Sequence, residues 1–257
     1  MNYLKLFGIA AFAIGAILYM ASADDHDLVM GDQDYELGEY VKISVNLAAD
    51  IGVQVDDDYA INVRADEMDL KNLKIYVKGQ TLVIERRESL FKPWHGKKPN
   101  IMISLPKLKK ITLNSSADID IDAVHGRYFK AVVNGSGSID FTGKSDELVA
   151  VVNGSGEVNA TSYEATETSV NINGSGEVAL AGSCETLTVE VNGSGNLAGQ
   201  DYICEMVEVE IMGSGDSAVY ARDMIEVDVM GSGEVTVYGK PDKVIDRSRK
   251  KNHILIH

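Results

Sequence analysis

The chain has 257 residues, 45% hydrophobic and 25% charged, with 24 Gly against 4 Pro and two Cys. Such a composition belongs to a globular protein with a substantial core, and two cysteines exclude a scaffold built on disulfides. A formal charge of −15 excludes nucleic acid, or an anionic membrane, as a partner drawn by the general field of the molecule.

Lys5 precedes an apolar run from Leu6 to Met20, which leads into Ala21-Ser22-Ala23, a small-x-small cleavage signature before Asp24-Asp25. Residues 1–23 read as a removed signal peptide. The rival reading is an uncleaved membrane anchor, against which stand the shortness of the run and its Gly8 and Gly15. No Cys follows the run, which argues against a lipoprotein anchor. Removal takes one Lys and no acid, so the charge moves from −15 to −16. The mature chain then has no transmembrane segment, and its place is the periplasm, the outer-membrane surface or the medium. Residues 24–34 read as a short linker.

From residue 35 to 110 the strand-like stretches Val41–Val45, Ile51–Val55, Ala60–Val63, Leu73–Val77, Thr81–Ile84 and Ile101–Leu105 follow one another, with turn signals such as Lys78-Gly79-Gln80. These predict irregular coils of an all-β fold that lead into regular ones. Between them, Phe91 to Pro99 concentrates aromatic and basic residues and holds the sole Trp. Trp94 and His95 are candidate ligand contacts, since an indole stacks on a sugar face. The structural alternative is that this loop folds back to cover an edge of the core.

The repeat that organises residues 111–245 is a Gly-Ser-Gly triplet beginning at Gly135, Gly154, Gly174, Gly193, Gly213 and Gly231, with a degenerate copy at Asn114-Ser115-Ser116-Ala117. Residues before each triplet alternate with the period of a half-buried strand, as in Phe129/Ala131/Val133 and Leu187/Val189/Val191; a second strand follows, as in Ile139/Phe141 and Val178/Leu180. Glycine supplies the φ > 0 conformations of a tight corner. Two strands, a corner and room for a short third strand per unit predict an all-β, right-handed parallel β-helix with about 20 residues per coil.

Two positional expectations follow. Asn134, Asn153, Asn173 and Asn192, each just before a triplet, should stack in a column at about the inter-strand spacing of 4.8 Å. Cys184 and Cys204 occupy the same position of adjacent coils. Their Cα atoms should lie about 5 Å apart, compatible with a disulfide or with two packed thiols, because in-register Cβ vectors run parallel.

Carboxylates are the remaining candidates. Asp118, Asp120 and Asp122 alternate with Ile119 and Ile121, so they face solvent; a catalytic pair or a metal site is weighed here against an ordinary charged strand face. Three residues before successive triplets stand Val132, Val151, Asn171, Glu190, Glu210 and Asp228, a column that turns acidic along the axis. Glu190, Glu210 and Asp228 are candidates to hold divalent cations loosely, and no other cofactor is expected; screening by water and salt is the plainer reading. His26, His95, His125, His253 and His257 are too scattered for a metal or triad. Residues 246–257 read as a basic tail or cap. Lys240, Lys243, Arg247, Arg249, Lys250 and Lys251 precede Ile254-Leu255-Ile256, which suits closure of the last coil, with an acidic partner or lipid headgroups as the alternative.

Taken together, Ala48-Ala49-Asp50-Ile51, Lys78 to Ile84, Ile101 to Pro106, the repeated Asn-Gly-Ser-Gly and the closing Val237 to Pro241 resemble the putative auto-transporter adhesin, head GIN domain family, over roughly residues 36–245. The resemblance implies a single-stranded right-handed β-helix in secreted or surface proteins, and no catalytic residues. The expected function is a non-catalytic, adhesin-like envelope module with a glycan or envelope protein as partner. A carbohydrate-active enzyme on a β-helix and a purely structural assembly protein are the alternatives.

Overall fold

A computed structural model describes residues 30–87, 94, 97–249 and 253–257. The segment read as a signal peptide, His26 and His95 lie outside the described residues. The chain begins with β1 (Met30–Asp34), β2 (Lys42–Val45), β3 (Asp50–Val55) and β4 (Ala60–Asp66). The short helix α1 (Glu67–Asn72), β5 (Leu73–Lys78), β6 (Thr81–Arg86), β7 (Asn100–Leu105) and β8 (Lys110–Leu113) follow. Six long bent strands form the body: β9 (Asp118–Val133), β10 (Ser138–Gly154), β11 (Glu157–Gly174), β12 (Glu177–Gly193), β13 (Asn196–Gly213) and β14 (Ser217–Gly231). The last are β15 (Val235–Tyr238), β16 (Lys243–Asp246) and β17 (Ile254–Ile256).

Neighbouring turns stack in parallel register as a β-solenoid of about seven turns, roughly 20 residues apart. The pre-triplet and post-triplet strands of each repeat bury the alternating apolar residues named above, so Val, Ile and Leu form columns along one continuous core. A bulge and a third, shorter side close each turn. Val124, Tyr163, Cys184 and Cys204 are buried there, and register shifts in the pairing flank Val124, Tyr163 and Cys204. Phe129, Phe141 and Tyr163 meet edge to face across three turns, with centroids 5.0 and 5.2 Å apart.

The triplet corner has a definite reason for glycine. The Ser194 N–H donates to the Gly174 carbonyl at 2.8 Å, and the Ser214 N–H to the Gly193 carbonyl at 2.8 Å, so each corner hydrogen-bonds to the one before. Gly193 has φ +130°, and a Cβ on it would overlap the Gly174 carbonyl oxygen. Both the dihedral and the close stacking exclude a side chain.

At the N-terminal end the order along the axis departs from the order in sequence. The irregular region was expected to lead coil by coil into the regular turns. Instead β2 lies between β6 and β8, and β3 between β7 and β9, so residues 42–55 contact the first regular turn directly. β6 and β7 pair with β2 and β3 on the side away from that turn. There β5 returns antiparallel to β6 through the Gly79-Gln80 loop, with Gly79 at φ +62°, and β4 runs antiparallel to β7. β1, inside the stretch read as a linker, pairs antiparallel with β4. These reversals end the parallel ladder with something other than a bare edge. At the other end, β16 and β17 add a partial rung on β14 and β15.

Candidate functional site

Trp94 belongs to the N-terminal closure. It is half-buried against the core, and its Nε1–H donates to the Ala48 carbonyl at 3.1 Å. The Arg86 guanidinium lies 3.8 Å from the ring centroid and also faces the buried Asp69 of α1 at 3.9 Å. One indole edge is therefore spent on the backbone and one face on a cation.

The aspartates of β9 stand where their alternation placed them. Asp118, Asp120 and Asp122 are exposed, while Ile119 and Ile121 are buried. Asp140 lies opposite Asp120 on the next turn, and Asp50 opposite Asp118 on the turn before. Burial, followed by the charges of Asp140, Asp122 and Asp118, raises the Asp120 carboxyl above the usual carboxylate range. Two of these three neighbours are already engaged. Lys98 Nζ pairs with Asp118 at 3.1 Å, and Asn159 Nδ2 donates to Asp140 at 2.9 Å.

Farther along, Glu190, Glu210 and Asp228 are register partners on consecutive turns, and Glu208 and Glu226 form the adjoining outward column. Among the described residues no group of His, Cys, Asp and Glu forms a metal-holding cluster. Part of the acidic surface is satisfied from within: the Glu234 N–H donates to Asp216 at 2.8 Å, and Arg247 reaches back to Glu226 at 2.7 Å. His125 lies near the Ala123 carbonyl, and His253 contacts the Gly233 carbonyl at the far end, so the described histidines share no site.

Charge is divided unevenly along the axis. Residues 145–239 hold 17 Asp and Glu but a single basic residue, Arg222, a net of 1 − 17 = −16, which exceeds the −15 of the whole chain. Near the start of that stretch a shallow groove is lined by Lys107, Lys109, Arg127, Asp146, Glu147 and Glu167, with Arg127 3.7 Å from Asp146. Tyr128 lines it too, 37% exposed, its hydroxyl raised by burial and by Glu147. Cations, carboxylates and an aromatic ring in one groove match the chemistry of polar, sugar-like ligands.

Known proteins agree with this architecture. A putative adhesin from Parabacteroides distasonis is similar over 90% of this chain and 98% of its own, with a TM-score of 0.83 and 19% identity. A putative adhesin from Parabacteroides merdae covers 89% and 96%, with a TM-score of 0.79 and 16% identity. A putative lipid binding protein from Parabacteroides distasonis covers 89% and 96%, with a TM-score of 0.74 and 22% identity. At these identities the likeness is one of fold. No curated protein matches the sequence significantly. The sequence matches the family described as putative auto-transporter adhesin, head GIN domain, across residues 39–241, and the chain belongs to that family.

Proposed function

We propose that the protein is an exported, non-catalytic envelope module that holds a rigid acidic solenoid out to a glycan or protein partner. The observation that carries the reading is the stacked body itself. Its inward columns are apolar, and its chemical variety lies on outward columns and in the groove around Tyr128. A solenoid of this kind offers an extended, preformed surface, which suits adhesion. Membership of an adhesin family supports a binding role and a place at the cell envelope. No helix among the described residues is long and apolar enough to cross a membrane.

A glycan-array screen with residues 24–257, followed by a reducing-sugar release assay on every hit, tests the proposal. Retained binding without release of new reducing ends, weakened by Tyr128→Ala, supports it. The competing reading is a carbohydrate-active enzyme, favoured by the raised Asp120 carboxyl beside Asp140. New reducing ends that disappear in Asp120→Asn would establish that reading instead.

A further inference from the structure

The charges that line the Tyr128 groove are ordered along the solenoid axis. Lys109 lies on the turn before Tyr128, where its carbonyl accepts from the Lys130 N–H at 3.0 Å. Lys107 reaches forward from the same turn, its Cε 3.9 Å from where a Cβ on Gly126 would stand. Glu147 is the register partner of Tyr128 on the next turn, and Glu167 is that of Glu147 on the turn after. From Lys109 to Glu167 there are thus three inter-strand steps, about 14 Å, short enough for the long side chains at the two ends to meet on one small ligand. The neighbouring column has the same order, with Lys144 in register between His125 on the turn before and Glu164 on the turn after. Past Glu167 the column passes to the uncharged Thr186 and Met206, while Glu185 keeps that turn acidic.

The three cations and three carboxylates of the groove sum to zero. Arg127 and Asp146 are partners of each other at 3.7 Å. Lys107, Lys109, Glu147 and Glu167 are exposed and have no ion pair among the described residues. A purely anionic ligand would meet the two lysines at one end and be repelled by the two glutamates at the other. A purely cationic ligand has the reverse fate, and a neutral one leaves both pairs unmet. A ligand negative at one end and positive at the other gains from both. Tyr128 stands between the two pairs with a ring face for a pyranose, and the groove, at about 830 Å³, is of the size that holds small ligands.

We infer that the groove binds a dipolar saccharide, one that carries both carboxylate and ammonium groups. Its carboxylate lies over Lys107 and Lys109, its ammonium over Glu147 and Glu167, and a sugar ring against Tyr128. The inference rests on the glycan-binding role proposed above and names the ligand class of that site. The order of charge also sets the direction in which the ligand lies, carboxylate toward the N-terminal end of the solenoid.

Four disaccharides of one glucuronate–glucosamine backbone separate the charges. The free amine form carries carboxylate and ammonium, and its N-acetylated form carboxylate alone. Reduction of the carboxyl group in each gives a form with ammonium alone and a neutral form. Calorimetric titration of residues 24–257 at slightly acidic pH, where the amine is charged, should show the dipolar form binding at least about ten-fold more tightly than each of the others. That advantage should shrink with added salt. In Lys107→Glu/Lys109→Glu the preference should move to the form with ammonium alone, and in Glu147→Lys/Glu167→Lys to the form with carboxylate alone. Opposite shifts of this kind are not produced by loss of folding in a variant. Equal binding of all four forms, lost in Tyr128→Ala, would overturn the dipolar inference and leave the glycan-binding role standing. A preference that neither charge swap moves would overturn it too, by placing charge recognition outside the groove. Binding of none of the four overturns it as well, and the glycan array then decides the wider role by itself.

Discussion

Asn114 Nδ2 donates to Asn46 Oδ1 at 2.7 Å across 68 residues of sequence. The contact extends the asparagine column into the turn formed by β2 and β3. From there Asn134, Asn153, Asn173 and Asn192 each donate to the residue below, at 2.6, 2.8, 2.9 and 3.2 Å. Each amide in the middle of the ladder both donates and accepts, as in-register stacking of one residue type permits.

Position within the ladder should therefore determine the cost of losing an asparagine. Asn153→Ala removes the bonds to Asn134 and from Asn173 and should cost about 1–2 kcal/mol. Asn192→Ala, at the point where the column passes to Met212, removes one bond and should cost about half as much. Urea midpoints of the two variants, compared at equal slope, check the ranking; equal costs would show that the ladder does not act through its bonds.

Cys184 and Cys204 form a disulfide, with Cα atoms 4.6 Å apart and 20 residues of separation. Closing a loop of that size should contribute about 3 kcal/mol through the unfolded state. The Cys184→Ser/Cys204→Ser variant should lose about that much in urea denaturation, and the unreduced, denatured protein should show no free thiol. Because Cys184 is 6% exposed and Cys204 0%, reduction of the folded protein should be slow until the turn opens.

The repeat was legible because the six corners from Gly135 to Gly231 use glycine, and the inward columns because alternation in a strand leaves no choice of face. Asn46 was missed because Asn46-Leu47-Ala48-Ala49 carries no glycine. Only its terminal Ala, stacked under Ala117, marks it as the same corner: the Asp118 N–H donates to the Ala49 carbonyl at 3.0 Å. The displaced order of the first turns was not legible, because β2 and β8 pair equally well with any parallel edge of similar pattern. Trp94 had two readings in sequence. Its carbonyl partner lies 46 residues away, and its cation is on β6.

Alkaline stability should depend on buried phenols. Burial pushes the Tyr202 hydroxyl up to about 12, against a smaller lowering by its hydrogen bond with Thr168, and burial also raises Tyr40 and Tyr163. An unfolded tyrosine ionises near pH 10. Their contribution is complete below that pH and is lost as pH rises from about 10 toward the folded values, since the unfolded chain releases protons that the folded chain keeps. Each phenol should remove at most about 1.4 kcal/mol per pH unit in that window. Of the 11 tyrosines, these three should ionise only with unfolding, as read by phenolate absorbance. Tyr202→Phe should flatten the pH dependence while costing about 1 kcal/mol at neutral pH through the lost bond to Thr168.

Glu210 stands between Glu190 on the turn before and Asp228 on the turn after, in direct register. Carboxylates about 4.8 Å apart repel, and the repulsion is screened by salt. Glu210→Gln should therefore raise the melting temperature by about 1–2 °C at low ionic strength, with the gain disappearing at high salt. Calcium discriminates between plain screening and loosely held cations. If the column holds divalent ions, calcium at matched ionic strength should raise the midpoint of the unaltered protein above its value in chelator, and Glu210→Gln should abolish the rise. A midpoint unchanged by calcium in both proteins would leave an acidic face screened only by water and salt. The Glu226 column supplies an internal control, because Arg247 already pairs with Glu226 at 2.7 Å. Glu226→Gln should thus gain less than Glu210→Gln at low salt, and Arg247→Ala should bring the Glu226 position into line with Glu210.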